Sequence, residues 1–223
     1  MRRARMKILL DLISGLPRPV RVLDVGGAEP YWASLLPDAA GTSDTAGSPS
    51  EGAEPMNDLS AGELQVTMVN LHPQETTLPN VRAVTGSTLD LSGFDRSDYD
   101  VIFSNSVIEH LGSLDNQRRM AFEVLRMGLR YFVQTPNCYF PVEPHFLLPL
   151  FQFLPRAGRI WLASHWRYGS YCRPGNVAAA TEVVDEIRLL SAAEMGALFP
   201  GARLHLERFG PLVKSVTAVG RVA

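Results

Sequence analysis

Along this chain, short apolar runs recur between stretches with helical spacing or turn chemistry. Residues 21–25 form the first such run: Val22, Leu23 and Val25 surround Asp24, and a segment this apolar is predicted to be a short strand buried on both faces. Gly26 and Gly27 follow at once, permitting backbone angles and a close approach that side chains would forbid. Pro30 suits the first turn of a helix, where its missing N–H costs nothing, and residues 31–36 supply that helix. A strand, glycine turn and helix start aim free N–H groups and a positive dipole end at an anionic part of a ligand. An ordinary turn joining strand to helix explains the same residues equally well.

The pattern then repeats. Residues 64–69 predict a second strand ending in Asn70-Leu71-His72-Pro73, and residues 81–84 a third, followed by Thr85-Gly86-Ser87-Thr88. Residues 99–103 predict a fourth strand, which runs into Ser104-Asn105-Ser106-Val107-Ile108-Glu109-His110-Leu111. An amphipathic helix spans residues 116–126, with Met120, Val124 and Leu125 on one face, and residues 130–133 make a fifth strand broken at Thr135-Pro136-Asn137. Near the end, Ser191 caps a helix with Glu194 in its first turn. Residues 203–209 and 215–220 then read as two strands whose short link makes them antiparallel. Strands alternating with helices indicate right-handed crossovers and a parallel, doubly wound α/β sheet. Ligands of such sheets lie at the carboxyl ends of the strands, where the polar clusters above fall.

Three segments stand outside this rhythm. The basic start, Met1 to Lys7, precedes Ile8-Leu9-Leu10 as a secretory leader would, but Asp11 interrupts the apolar run and no small-residue cleavage site follows. An amphipathic helix with Ile8, Leu9, Leu12 and Ile13 on its apolar face fits better, ended by Gly15 and Pro17. Residues 37–62 are rich in Gly, Ser, Ala and acids, cannot bury enough surface to offset their ordering entropy, and read as a mobile loop, either lid or insertion. Residues 138–187 form an apolar, aromatic insert on the substrate side, too broken by Pro149 and Pro155 to span a membrane. It is either a helical cap packed on the sheet or the roof of a pocket for a hydrophobic acceptor.

Composition narrows the classes. The chain has 223 residues, 46% of them hydrophobic, and a formal charge of −2, which gives no reason to expect nucleic acid as partner. Its two cysteines, Cys138 and Cys172, have no paired spacing, so a reducing cytoplasm is expected and a disulfide framework or zinc site is not.

The segment from Val22 to Gly27 resembles the first motif of class I S-adenosylmethionine-dependent methyltransferases. Phe103 to Leu111 looks like the segment after their fourth strand, and Tyr131 to Asn137 with Glu143-Pro144-His145 resembles a bacterial small-molecule subgroup. The resemblance covers most of the chain from about residue 18 and treats it as a single methyltransferase domain. It implies a Rossmann-like sheet of order 3-2-1-4-5-7-6 with strand 7 antiparallel, S-adenosylmethionine as cofactor, and methyl transfer to a small molecule, most readily to oxygen. The alternative it leaves is an inactive protein that keeps the fold. Ala28 and Pro30 stand where further glycines are usual, Asn70 where an acid grips the ribose, and Ser87 where an Asp reads the adenine.

On that resemblance Gly26, Gly27 and Ala28 underlie the methionine portion of the cofactor, and Asp24 accepts a hydrogen bond from a nearby backbone N–H or water close to its ammonium. Asn70 and Leu71 meet the ribose and adenine edge, Ser87, Thr88 and Leu89 flank the adenine, and Ser104, Asn105 and Ser106 lie near the transferred methyl. His110 is the leading acid/base candidate because its ordinary pKa falls near neutrality; it faces the pocket or caps the following turn, and His145 is the alternative base. Glu143 and His145, with Tyr139, are the polar groups expected at the acceptor. Glu109 and His110 lie where some related quinone-type enzymes ligate a metal, but Ser106 replaces the acid that begins such a cluster, and no metal is expected. The cluster His165-Trp166-Arg167-Tyr168 is either an anion contact or a surface loop. A dinucleotide-dependent oxidoreductase is disfavoured because GxGxxG is missing after strand one and no acid ends strand two.

Overall fold

The computed structural model describes residues 2–34, 61–165 and 176–221. Residues 35–60, which hold most of the expected loop, and Trp166, Arg167 and Tyr168 of the aromatic cluster lie outside the described residues. Seven strands, β1 (Val20–Val25), β2 (Leu64–Asn70), β3 (Val81–Thr85), β4 (Val101–Asn105), β5 (Arg130–Pro136), β6 (Arg203–Phe209) and β7 (Leu212–Arg221), form one sheet. Its order is β3-β2-β1-β4-β5-β7-β6, as the resemblance implied. β1 runs parallel to β2 and β4, and β2 parallel to β3, while β7 is antiparallel to β6.

The chain divides into two compact units. The first comprises Met1–Ser104, Glu123–Phe132 and Arg221–Ala223. Its first helix, α1 (Arg2–Ile13), buries Met6, Leu9 and Ile13, while Ile8 and Leu12 are half-buried, so the apolar face is turned slightly from the one expected. Arg130 donates to the Leu12 carbonyl, satisfying one acceptor that the helix end leaves open. β1 is buried along nearly its whole length, and β2 likewise apart from Gln65 and the partly buried Asn70. The short helix α2 (Glu29–Ala33) carries Pro30 in its first turn and buries Trp32. Trp32 meets Phe103 edge-on at 5.2 Å, and Phe103 stacks on Phe132 at 5.0 Å, an arrangement that suits the ring quadrupoles. β4 begins two residues later than the apolar pattern suggested, because Asp95 caps a tight turn over Arg96–Asp98 that absorbs Tyr99 as its last residue.

The second unit comprises Asn105–Phe122 and Val133–Gly220. Beyond the amphipathic helix α3 (Leu114–Arg126), α4 (Arg156–His165) and α5 (Val177–Glu186) pack around Phe146, Phe151, Ala163, Ala180 and Val184. Much of the apolar insert is therefore core, although Phe153 and Trp161 remain exposed. The helix α6 (Ala192–Leu198) has the expected cap: Ser191 and Glu194 satisfy each other's backbone N–H groups. β5 does not break at Thr135 but runs to Pro136, where the missing N–H falls on the strand's last residue. None of the described helices is long and apolar enough to cross a membrane.

Candidate functional site

In the first unit the end of β1 passes through Gly26, whose φ of 81° suits only glycine and whose N–H donates to the Val69 carbonyl at 2.8 Å. Gly27 is required for a different reason. A Cβ there would lie 1.7 Å from Asp24 Oδ2, so the bend rests directly on the Asp24 carboxylate. Asp24 is wholly buried, and its Oδ2 accepts the Trp32 indole N–H at 2.6 Å rather than the backbone N–H or water expected from sequence. Its Oδ1 is buried with no hydrogen-bond partner among the described residues. Burial pushes the carboxyl up to about 7, the indole bond pulling the other way.

Asn70 donates to the Gly27 carbonyl at 2.8 Å, a role no carboxylate can take. The residue expected at the ribose thus also pins the glycine bend. Leu71 beside it is 66% exposed. Ala28 is exposed, as the residue preceding α2. The Ser87 hydroxyl accepts the Leu89 N–H at 3.1 Å and shapes the turn after β3, where Thr88 is buried and Leu89 half-buried. Ser104 is wholly buried, and its hydroxyl donates to the Val25 carbonyl at 3.0 Å, which ties β4 to β1.

The second unit gathers the acid/base candidates. Ser106 has a φ of 57°, a strained value for a residue with a side chain, and is held there by bonds from its hydroxyl and N–H to Gln134. Half-buried Asn105 precedes it. His110 sits in a tight turn over Ile108–Leu111, with its Nδ1 3.1 Å from Glu186 at the end of α5. The backbone bonds Gly112 to Glu186 and Arg188 to Glu109 carry that segment alongside the turn. His145 lies 4.7 Å from His110, ring centre to ring centre and edge-on. Its Nδ1 is 2.6 Å from Glu143 Oε1, while Glu143 Oε2 accepts the N–H groups of His145 and Phe146. Buried Glu143 is thus committed to holding His145. Tyr139 is exposed.

The two imidazoles are driven apart electrostatically. Burial and the charge of His145 lower the pKa of His110 against the pull of Glu186. Burial also opposes the charged form of His145, but the bond to Glu143 and the charges of Glu143, Glu109 and Glu186 outweigh it and hold His145 above its ordinary value. Glu186 can only accept, so the Nδ1 of His110 carries the proton and Nε2 is its basic atom. Glu109 is wholly buried and accepts the Thr135 hydroxyl at 3.0 Å. Donor atoms of Glu109, His110 and His145 lie within 4.8 Å of one another, a set able to take a metal ion. Trp32, Glu186 and Thr135 had no signal in the sequence: each lies far along the chain from, or across a turn to, the group it serves.

Sheet order and strand directions together define the fold of class I S-adenosylmethionine-dependent methyltransferases, and this chain has that fold. A methyltransferase from Aquifex aeolicus superposes over 98% of this chain and 89% of its own, with a TM-score of 0.51 and 14% identity. The N-methyltransferase NodS from Bradyrhizobium japonicum WM9, in complex with S-adenosyl-L-homocysteine, superposes over 99% and 86%, with a TM-score of 0.51 and 10% identity. The CurJ carbon methyltransferase matches the whole chain to 54% of its own at a TM-score of 0.55 and 12% identity. No family model matches. In sequence, two uncharacterized proteins of Mycobacterium tuberculosis, from strains H37Rv and CDC 1551, are each 43% identical over 53 residues, 24% of this chain and 18% of theirs.

Proposed function

We propose that this protein transfers the methyl group of S-adenosylmethionine to an oxygen of a small-molecule acceptor. The observation that carries the reading is Asp24: a buried carboxyl with one oxygen unsatisfied, packed into the space that a Cβ on the Gly27 bend would fill. A cofactor ammonium fits that oxygen, since a buried unpaired carboxylate gains most from a cation. When bound, the cofactor supplies a methyl on a positively charged sulfur, open to in-line attack. Gly26 and Gly27 accept its methionine portion, and Asn70 holds the bend in shape while Leu71 offers an apolar edge to the nucleoside. Ser87, Thr88 and Leu89 flank the adenine.

His110 takes the acceptor's proton at Nε2. Its lowered pKa keeps it neutral at physiological pH, and Glu186 fixes the ring as the carboxylate partner of a general base does. Glu143 acts through His145, whose charge it supports. Holding acceptor and methyl in line accounts for most of the rate such an enzyme needs, worth up to about 7–11 kcal/mol in well-oriented systems. Oxygen is favoured over nitrogen or carbon because a neutral imidazole suits removal of a hydroxyl proton. Titration calorimetry with S-adenosylmethionine and with NAD tests the reading: heat with the first alone supports it, and heat with NAD alone refutes it.

A further inference from the structure

The second unit carries a half-open cavity of about 310 Å³, at the lower end of the range of about 300–1,000 Å³ typical of small-molecule sites. Phe146, Phe151, Val184 and Ile187 give it apolar walls. Most polar groups in the lining are satisfied by the protein itself. Glu143 is taken by His145 and two amides, and both oxygens of Asp185 are taken by Arg156 at 2.8 and 2.5 Å. Arg188 donates to Gln117 at 2.7 Å and to Glu194 at 2.5 Å.

Two lining groups are different. Arg159 Nε and Gln152 Oε1 are buried and have no hydrogen-bond partner among the described residues. The Gln152 amide is not adrift: its Nε2 donates to the carbonyls of Phe140 at 2.6 Å and Cys138 at 3.2 Å, which fixes Oε1 as the atom turned to other partners. The charges sort the same way. Among the described residues Asp185 is matched by Arg156, Glu143 by His145 and Arg188 by Glu194. Arg159 acts on Asp185 only through space, and is the charge of the lining left without an ion pair.

We infer that this cavity binds an apolar small molecule by a carboxylate on Arg159, with Gln152 Oε1 accepting a hydroxyl or N–H of the same molecule. A guanidinium whose Nε is buried without an acceptor is stabilised most by an anion that can take its N–H groups. A single negative charge fits better than a phosphate dianion, because Glu143 and Asp185 share the lining and repel the second charge. The identification of this molecule as the methyl acceptor rests on the proposed function. Glu143, which holds His145, and Gly112, which closes the turn bearing His110, both border the cavity.

The test is binding of 4-phenylbutyrate and of its uncharged amide, 4-phenylbutyramide, to the full chain, with S-adenosylmethionine titrated in parallel. The acid should bind at least about tenfold more tightly than the amide, as expected for a hydrogen bond to a charged group. Arg159→Met should remove that preference, Arg159→Lys should keep part of it, and both should bind S-adenosylmethionine like the parent, which reports an intact fold. Equal binding of acid and amide, binding of neither at millimolar concentration, or a preference unchanged in Arg159→Met overturns the inference. An Arg159-dependent preference without S-adenosylmethionine binding leaves the site standing and refutes the methyltransferase reading. Cofactor binding without the preference refutes the site alone.

Discussion

Replacing Asp24 with asparagine isolates the feature on which the cofactor reading depends. Burial disfavours the charged carboxyl and holds it at about 7, against about 3.9 for an exposed aspartate. One pH unit corresponds to about 1.4 kcal/mol, so ionised Asp24 costs the folded state about 4 kcal/mol at pH 8, against a total stability of about 5–15 kcal/mol for a typical domain. The sign follows from linkage. With its pKa raised on folding, Asp24 favours the folded state below the unfolded value near 4, and that contribution is lost as pH rises through about 7. Wild-type stability should therefore fall by about 1.4 kcal/mol per pH unit from this group between pH 4 and 7. The Asp24→Asn side chain cannot ionise. Its amide places a donor where Oδ1 or Oδ2 stood, a constant offset that does not alter the slope. Urea unfolding of both proteins from pH 5 to 8 measures the difference. Asp24→Asn should gain about 2–3 kcal/mol on wild type across that interval while losing cofactor affinity. Parallel stability curves would show that Asp24 titrates normally and is no strained anion awaiting a cation.

Other outcomes follow from the same geometry. Gly27→Ala sets a Cβ 1.7 Å from Asp24 Oδ2 and should cost at least the 1–3 kcal/mol or so of an overpacked core; adding Asp24→Ala should recover part of that loss in a double-mutant cycle, and additive effects would rule out the contact. His110→Ala should cut turnover about 10²–10⁴-fold with S-adenosylmethionine affinity unchanged, and Glu186→Gln should cut it less; unaltered turnover removes His110 from the mechanism. At saturating cofactor the acid limb of kcat should lie below the ordinary pKa of histidine, since His110 is lowered by burial and by His145. His145→Gln removes the repulsion, so that limb should move to higher pH; a shift downward would contradict the assignment of charge within the pair.

The sheet was legible in the chain because strands buried on both faces leave continuous apolar runs, as at Val22–Val25 and Met68–Val69, and Gly26 and Ser191 mark their turn and cap by residue type alone. Boundaries were less so: β4 starts late because Asp95 makes a tight turn, a contest between local caps that apolar pattern does not record. At the site, the glycines, Asp24 and the His110 segment announced themselves. Their partners did not. Trp32 reaches Asp24, Glu186 reaches His110 across 76 residues of sequence, and Asn70 turns its amide to Gly27, contacts that depend on tertiary packing and have no local signature. Arg159 and Gln152 stood in the insert as ordinary polar residues, and only the satisfaction of the neighbours around them makes them conspicuous.

A crystal structure of the complex with S-adenosylhomocysteine tests the central claim most directly. The account predicts the ligand's ammonium within hydrogen-bond distance of Asp24, its methionine chain over Gly26 and Gly27, and its ribose against Asn70 and Leu71. A ligand bound elsewhere, or an Asp24 that keeps Oδ1 unpaired with the ligand in place, would contradict it.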